Sequence, residues 1–66
     1  MKVYLNGEEI QFNGAFLSDL IHQNGLSEKK GIAVAVNETI ISKSNWVKTE
    51  IKQEDKVLVI TATQGG

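Results

Sequence analysis

Lys2-Val3-Tyr4-Leu5-Asn6-Gly7-Glu8-Glu9-Ile10-Gln11-Phe12 opens the chain, and its pattern decides the fold. Val3 and Leu5 fall on one face of an extended segment, with Lys2, Tyr4 and Asn6 on the other. That alternation marks a half-buried strand. Asn6-Gly7 follows, and a type I′ turn needs positive φ at both central residues, which this pair tolerates best. Ile10 and Phe12 then alternate with Glu9, Gln11 and Asn13. The sequence from Lys2 to about Phe12 therefore predicts a β-hairpin.

Working outward, Asn13-Gly14 closes the second strand. Leu17, Leu20 and Ile21 form an i, i+3, i+4 stripe, with Ser18, Asp19, His22 and Gln23 facing out. Asn24-Gly25 supplies a left-handed helix stop, so the spacing predicts a short helix from about Ala15 to Asn24. Leu26 to Lys30 is a polar connector. Gly31-Ile32-Ala33-Val34-Ala35-Val36 is apolar throughout. It suits a strand covered on both faces, or one packed on the helix with alanines on its other side. Asn37-Glu38 turns the chain into a short strand, Thr39-Ile40-Ile41. Ser42-Lys43-Ser44-Asn45 reads as a loop, anchored on the core edge by Trp46 and Val47. Ile51 stands alone among charged neighbours, and Gln53-Glu54-Asp55-Lys56 is a tight polar turn. Val57-Leu58-Val59-Ile60 reads as a buried strand. Placed parallel to the first strand at the sheet centre, it completes an α+β fold: a mixed sheet gripping one helix, the β-grasp arrangement.

With 66 residues the chain is enough for one domain, residues 1–66. A domain of this size buries only about 60% of its unfolded surface. The absence of cysteine excludes disulfides, thiolate metal sites and a cysteine nucleophile, and His22 cannot hold a metal alone. Net charge is −1, with seven lysines and no arginine. A nucleic-acid binder is expected to show a basic excess and forked arginine contacts, so nucleic acid is not an expected partner. Met1-Lys2-Val3-Tyr4-Leu5 is too quickly polar for a signal peptide, and no run approaches the ~20 apolar residues of a membrane span. The expectation is a soluble cytoplasmic domain.

The chain closes on Ala62-Thr63-Gln64-Gly65-Gly66. Two glycines beside the final carboxyl remove every neighbouring Cβ, so the tail suits a narrow slot. The four residues beyond Ala62 reach roughly 13 Å if extended. A carboxylate so presented suits an acyl-activating enzyme; on the tail alone, a frayed terminus or a cloning remnant fits as well.

Several blocks together resemble a known family. Gly31-Ile32-Ala33-Val34-Ala35-Val36-Asn37-Glu38 is similar to the middle segment of the small sulfur-carrier proteins of thiamin biosynthesis, the ThiS type. Ser44-Asn45-Trp46 matches that family's tryptophan after its short strand. Asp55-Lys56-Val57, the apolar strand and Gly65-Gly66 match its ending. The Asn6-Gly7 hairpin and Asp19-Leu20-Ile21 helix align as well, so the resemblance spans the chain. It departs at Phe16, where the family often opens its helix with threonine, and at Ile41-Ser42-Lys43, where proline and arginine are usual. Gln64 stands where a third glycine is common.

The resemblance implies a ubiquitin-like β-grasp carrier rather than an enzyme. A terminal carboxylate, pKa about 3.3–3.7, is ionised at neutral pH and is a poor electrophile. The family's carboxylate is adenylated by an ATP-dependent partner of the ubiquitin-activating type. A sulfur donor, such as a cysteine desulfurase or persulfide protein, then displaces AMP, and the thiocarboxylate serves thiazole synthase. Carried onto this chain, Gly66 is the modified residue, Gly65 gives clearance, and Gln64 and Thr63 form the leash. No catalytic residue, metal or bound cofactor is implied; ATP belongs to the activating partner. Two alternatives stay open: a carrier for another client, such as a molybdopterin synthase small subunit, and a non-covalent ubiquitin-like interaction module. Relatives of the molybdopterin kind are usually longer.

The remaining polar and aromatic residues have plainer explanations. His22 is expected on the helix surface and Trp46 as a core-edge anchor rather than a ligand stack. Lys29-Lys30 and Glu8-Glu9 are expected as solvated faces, and Glu54-Asp55 as turn residues rather than a metal pair. Gly31 precedes a strand, so no phosphate loop is suggested. Ile40, Ile41 and Val59 are the expected contributors to an apolar docking face.

Overall fold

The computed structural model describes residues 1–27 and 30–61. Its strands are β1 (Lys2–Leu5), β2 (Glu8–Gln11), β3 (Ile32–Val36), β4 (Thr39–Ile41) and β5 (Lys56–Thr61). One helix, α1 (Leu17–Gln23), follows the first hairpin, and a 3₁₀ helix spans Lys43–Lys48. The sheet order is β2-β1-β5-β3-β4. β1 and β5 pair in parallel, Tyr4 with Lys56 and Leu5 with Val57, while the other pairings are antiparallel. This mixed sheet with one helix on it is the ubiquitin-like β-grasp that the sequence predicts.

Both hairpins are closed by two-residue turns with positive φ at each central residue. Asn6 and Gly7 sit at 51° and 84°, and Asn37 and Glu38 at 49° and 72°. The first pair is well chosen for that backbone; Glu38 carries a Cβ where glycine would be unstrained. Asn37 is fixed from several sides. Its N–H donates to the Lys56 carbonyl at 2.8 Å, and its Oδ1 accepts from the Lys56 N–H at 3.0 Å.

Helix α1 starts two residues later than the periodicity suggests. Ala15 and Phe16 are held extended against a segment far along the chain. The Ile51 N–H donates to the Ala15 carbonyl at 2.8 Å, and the Leu17 N–H to the Thr49 carbonyl at 2.7 Å. Phe16 occupies the N-cap without a side-chain oxygen to offer, so only half of a capping box forms. Asp19 Oδ2 accepts from the Phe16 N–H at 3.1 Å. The helix ends as the sequence predicts. Gly25, at φ 71°, donates to the His22 carbonyl, and Leu26 to the Ile21 carbonyl, the paired bonds of a Schellman motif. Leu26 then packs on the core.

Val3, Phe12, Leu17, Leu20, Ile21, Val34, Val36, Trp46, Ile51 and Val57 form that core between sheet and helix. Each large aliphatic or aromatic side chain buried this way contributes about 1.5–3 kcal/mol. Strand β3 takes the second of the two arrangements open to it: Val34 and Val36 join the core, and Ala33 and Ala35 fall on the opposite face. Two expectations are corrected, at Ser42–Asn45 and at β5, and Ile51, which the sequence left unplaced, gains a position. The segment expected as a loop at Ser42–Asn45 runs into the 3₁₀ helix, where Asn45 Nδ2 donates to Ser42 Oγ at 3.0 Å and the Asn45 N–H to the Ser42 carbonyl at 2.9 Å. Ile51 is a core residue, because the bridge to Ala15 carries it inward. Strand β5 is buried on one face only: Val57 is in the core, whereas Leu58 and Ile60 are exposed.

Candidate functional site

Residues 62–66, and with them the sequence-predicted positions Thr63, Gln64, Gly65 and Gly66, lie outside the described residues. The structure instead defines the platform from which that segment departs. Strand β5 is the middle strand of the five. It is paired with β3 to its last residue, Ile60 opposite Ala33 and Thr61 opposite Ile32. The described chain therefore reaches Thr61 on firmly paired backbone.

The face of the sheet turned away from α1 is apolar along this platform. Residues directly opposite in an antiparallel pair share a face. Ala35 lies opposite both Ile40 and Leu58, and Ala33 opposite Ile60. Ile40, Leu58 and Ile60 are 65%, 48% and 47% exposed, on a floor of small alanines. Of the three residues expected to form a docking face, only Ile40 belongs to it. Ile41 and Val59 point inward and pack against the core. Leu58 and Ile60 were hidden in a run apolar at every position; the parity with Val57 was the signal that could have separated them.

Beside this stripe lies a groove of about 610 Å³ bordered by Tyr4, Gly7, Asn37, Glu38, Lys56 and Leu58. Its polar groups belong mainly to the two hairpin turns and to the start of β5. They do not form a nucleophile, base and orienting partner within bonding reach of one another. Among the described residues, no three His, Cys, Asp or Glu side chains are grouped to hold a metal.

The other residues considered as sites have structural explanations. His22 is exposed in the last helical turn. Trp46 is buried, and its Nε1–H donates to the Ile41 carbonyl at 3.1 Å, which anchors the 3₁₀ helix on the core. Asp55 divides its carboxylate between the Lys52 N–H at 2.8 Å and Asn37 Nδ2 at 3.0 Å. Glu54 lies 3.6 Å from Lys2 Nζ. Tyr4 foremost, then Glu9 and Glu54, holds the half-buried Lys2 side chain's ammonium above its ordinary range. Gly31 takes φ 72° ahead of β3, a backbone requirement. Glu8, Glu9 and Lys30 are exposed, and Lys29 lies outside the described residues. No described helix is long and apolar enough to cross a membrane.

Two solved structures share the whole architecture. The crystal structure of the thiamine biosynthesis protein ThiS from Geobacter metallireducens superposes with a TM-score of 0.84 at 20% identity, covering 100% of each chain. The solution structure of a thiamine biosynthesis protein from the same organism gives 0.76 at 20% identity, covering 100% of this chain and 88% of the other. At that identity the likeness establishes the fold. No curated protein matches the chain. The model of the ThiS family matches residues 3–66, from the first strand through the terminal glycines. This chain belongs to the ThiS family.

Proposed function

We propose that this protein is a sulfur carrier whose Gly66 carboxylate becomes a thiocarboxylate and donates sulfur for thiazole formation in thiamin biosynthesis. One observation carries the proposal: the family match runs unbroken into Gly65-Gly66. The chemistry follows from the carboxylate. An ATP-dependent activating enzyme joins the Gly66 carboxylate to the α-phosphorus of ATP, releasing pyrophosphate. A persulfide from a cysteine desulfurase or a persulfide protein attacks the acyl carbon and expels AMP. Reduction of the resulting acyl disulfide by a thiol leaves the thiocarboxylate, which thiazole synthase consumes. The chain acts as cosubstrate, binds no cofactor of its own and works in the cytoplasm.

The sheet face of Ile40, Leu58 and Ile60 is the surface that meets the activating enzyme, because it borders the strand that leads into the tail. Mass spectrometry of the full chain after incubation with the activating enzyme, ATP and a sulfur donor tests the proposal. One oxygen replaced by sulfur at Gly66 is the expected result. An unmodified Gly66, under conditions that convert a known carrier, overturns it.

A further inference from the structure

The parallel ladder between β1 and β5 stops early. The Tyr4 N–H donates to the Asp55 carbonyl and the Asn6 N–H to the Val57 carbonyl, each at 2.9 Å. At Asn6 the chain enters its turn and leaves β5. The next donor on that side, the Val59 N–H, is met by Asn6 Oδ1 at 2.7 Å. A side-chain amide oxygen thus takes the place of the backbone carbonyl that a longer β1 would supply.

Beyond this plug the edge is open among the described residues. Backbone groups of alternate residues in a strand point to the same side. The Val59 carbonyl and the Thr61 N–H therefore face the side that β1 has vacated, and no described residue takes either one. They lie beside exposed Leu58 and Ile60 and directly before the tail. The edge is only three residues long, too short to pair stably by itself.

We propose that this half-edge, Val59 to Thr61, receives an extended segment of the activating enzyme as an added strand. The proposal rests on the carrier reading above. Its chemistry fixes the occupant. A donor for the Val59 carbonyl and an acceptor for the Thr61 N–H, set at strand spacing beside an apolar stripe, match the backbone of an extended peptide. The same segment would lie against Leu58 and Ile60. A protein that draws in the tail necessarily passes this edge, so the added strand aligns the root of the tail with the enzyme's active site. Asn6 sets where the incoming strand begins, since its oxygen closes the ladder on the near side.

Thr61→Pro provides the test. It deletes the Thr61 N–H, which no described residue accepts, and proline is tolerated where a strand N–H faces outward. The variant should melt within a few degrees of Thr61→Ala, which keeps the N–H. Its kcat/KM for Gly66 adenylation should fall at least about tenfold below that of Thr61→Ala, the size expected for one lost hydrogen bond with an unmet partner. In the ¹⁵N-labelled full chain, the Thr61 amide should exchange rapidly when free and slowly with saturating activating enzyme without ATP. Equal adenylation of the two variants, or a complex with the Thr61 amide still unprotected, overturns the added strand and leaves the carrier role intact. Should the Thr61→Pro chain fail to fold, the amide exchange of the unmodified chain decides, and a Thr61 amide left unprotected in the complex overturns the added strand. Failure of Gly66 to be modified at all overturns both. Protection by a second copy of the chain or by thiazole synthase alone overturns the choice of partner.

Discussion

Asn37 and Asp55 are bonded through their side chains at 3.0 Å across 18 positions of sequence. Asn37 also caps the Lys56 N–H, and Asp55 the Lys52 N–H, so the pair ties the second hairpin to the entrance of the central strand. Asn37→Gly keeps the positive φ and removes only the side-chain bonds. It should cost about 1–2 kcal/mol in chemical denaturation. A cycle with Asp55→Ala should show coupling of about 0.5–1 kcal/mol; strict additivity would mean that the two residues act separately.

Glu38→Gly should raise stability. The residue sits at φ 72° in a turn position that favours glycine. Relief of the left-handed backbone exceeds the extra freedom glycine gives the unfolded chain, leaving a gain of about 0.5 kcal/mol. A melting temperature higher by about 2–4 °C is the expected readout.

Two glycines should separate steric from backbone effects. A Cβ on Gly14 would come within 2.7 and 2.9 Å of the buried Phe12 ring, whereas one on Gly25 meets nothing within 4 Å. Gly14→Ala should cost about 1–3 kcal/mol through crowding. Gly25→Ala should cost about 1 kcal/mol, from its positive φ alone. Urea melts of the two variants give the comparison, and a larger loss at Gly25 would contradict it.

Leu58→Gln should leave the fold nearly unperturbed, because its side chain is half exposed on the face away from the core. Under the proposed function it should weaken adenylation of Gly66 by about tenfold in KM, the scale of an interfacial apolar contact. Ile41→Gln should instead lower the melting temperature, since Ile41 packs on the core. Steady-state adenylation assays beside thermal melts distinguish the two.

What the sequence disclosed was local chemistry. Asn6-Gly7 specified its own turn, and Gly25 its helix stop, because each needs only a few neighbouring residues. The β-grasp followed from the order of these elements. What stayed hidden depends on contacts across the chain. Ile51, a core residue, bonds to Ala15 far back along the chain, and the Asn6 to Val59 contact spans 53 positions. The exposed apolar face was obscured for another reason. Val57 to Ile60 is apolar at every position, so composition could not show which two side chains face out.

Trp46 is the chain's single tryptophan, enclosed in the core and bonded to the Ile41 carbonyl on the helix side of the sheet. Its emission should therefore redden when the core opens and stay steady when another molecule settles on the alanine-floored side. The protein carries a native optical gauge of its own integrity, insulated from the surface where its traffic with other proteins would occur.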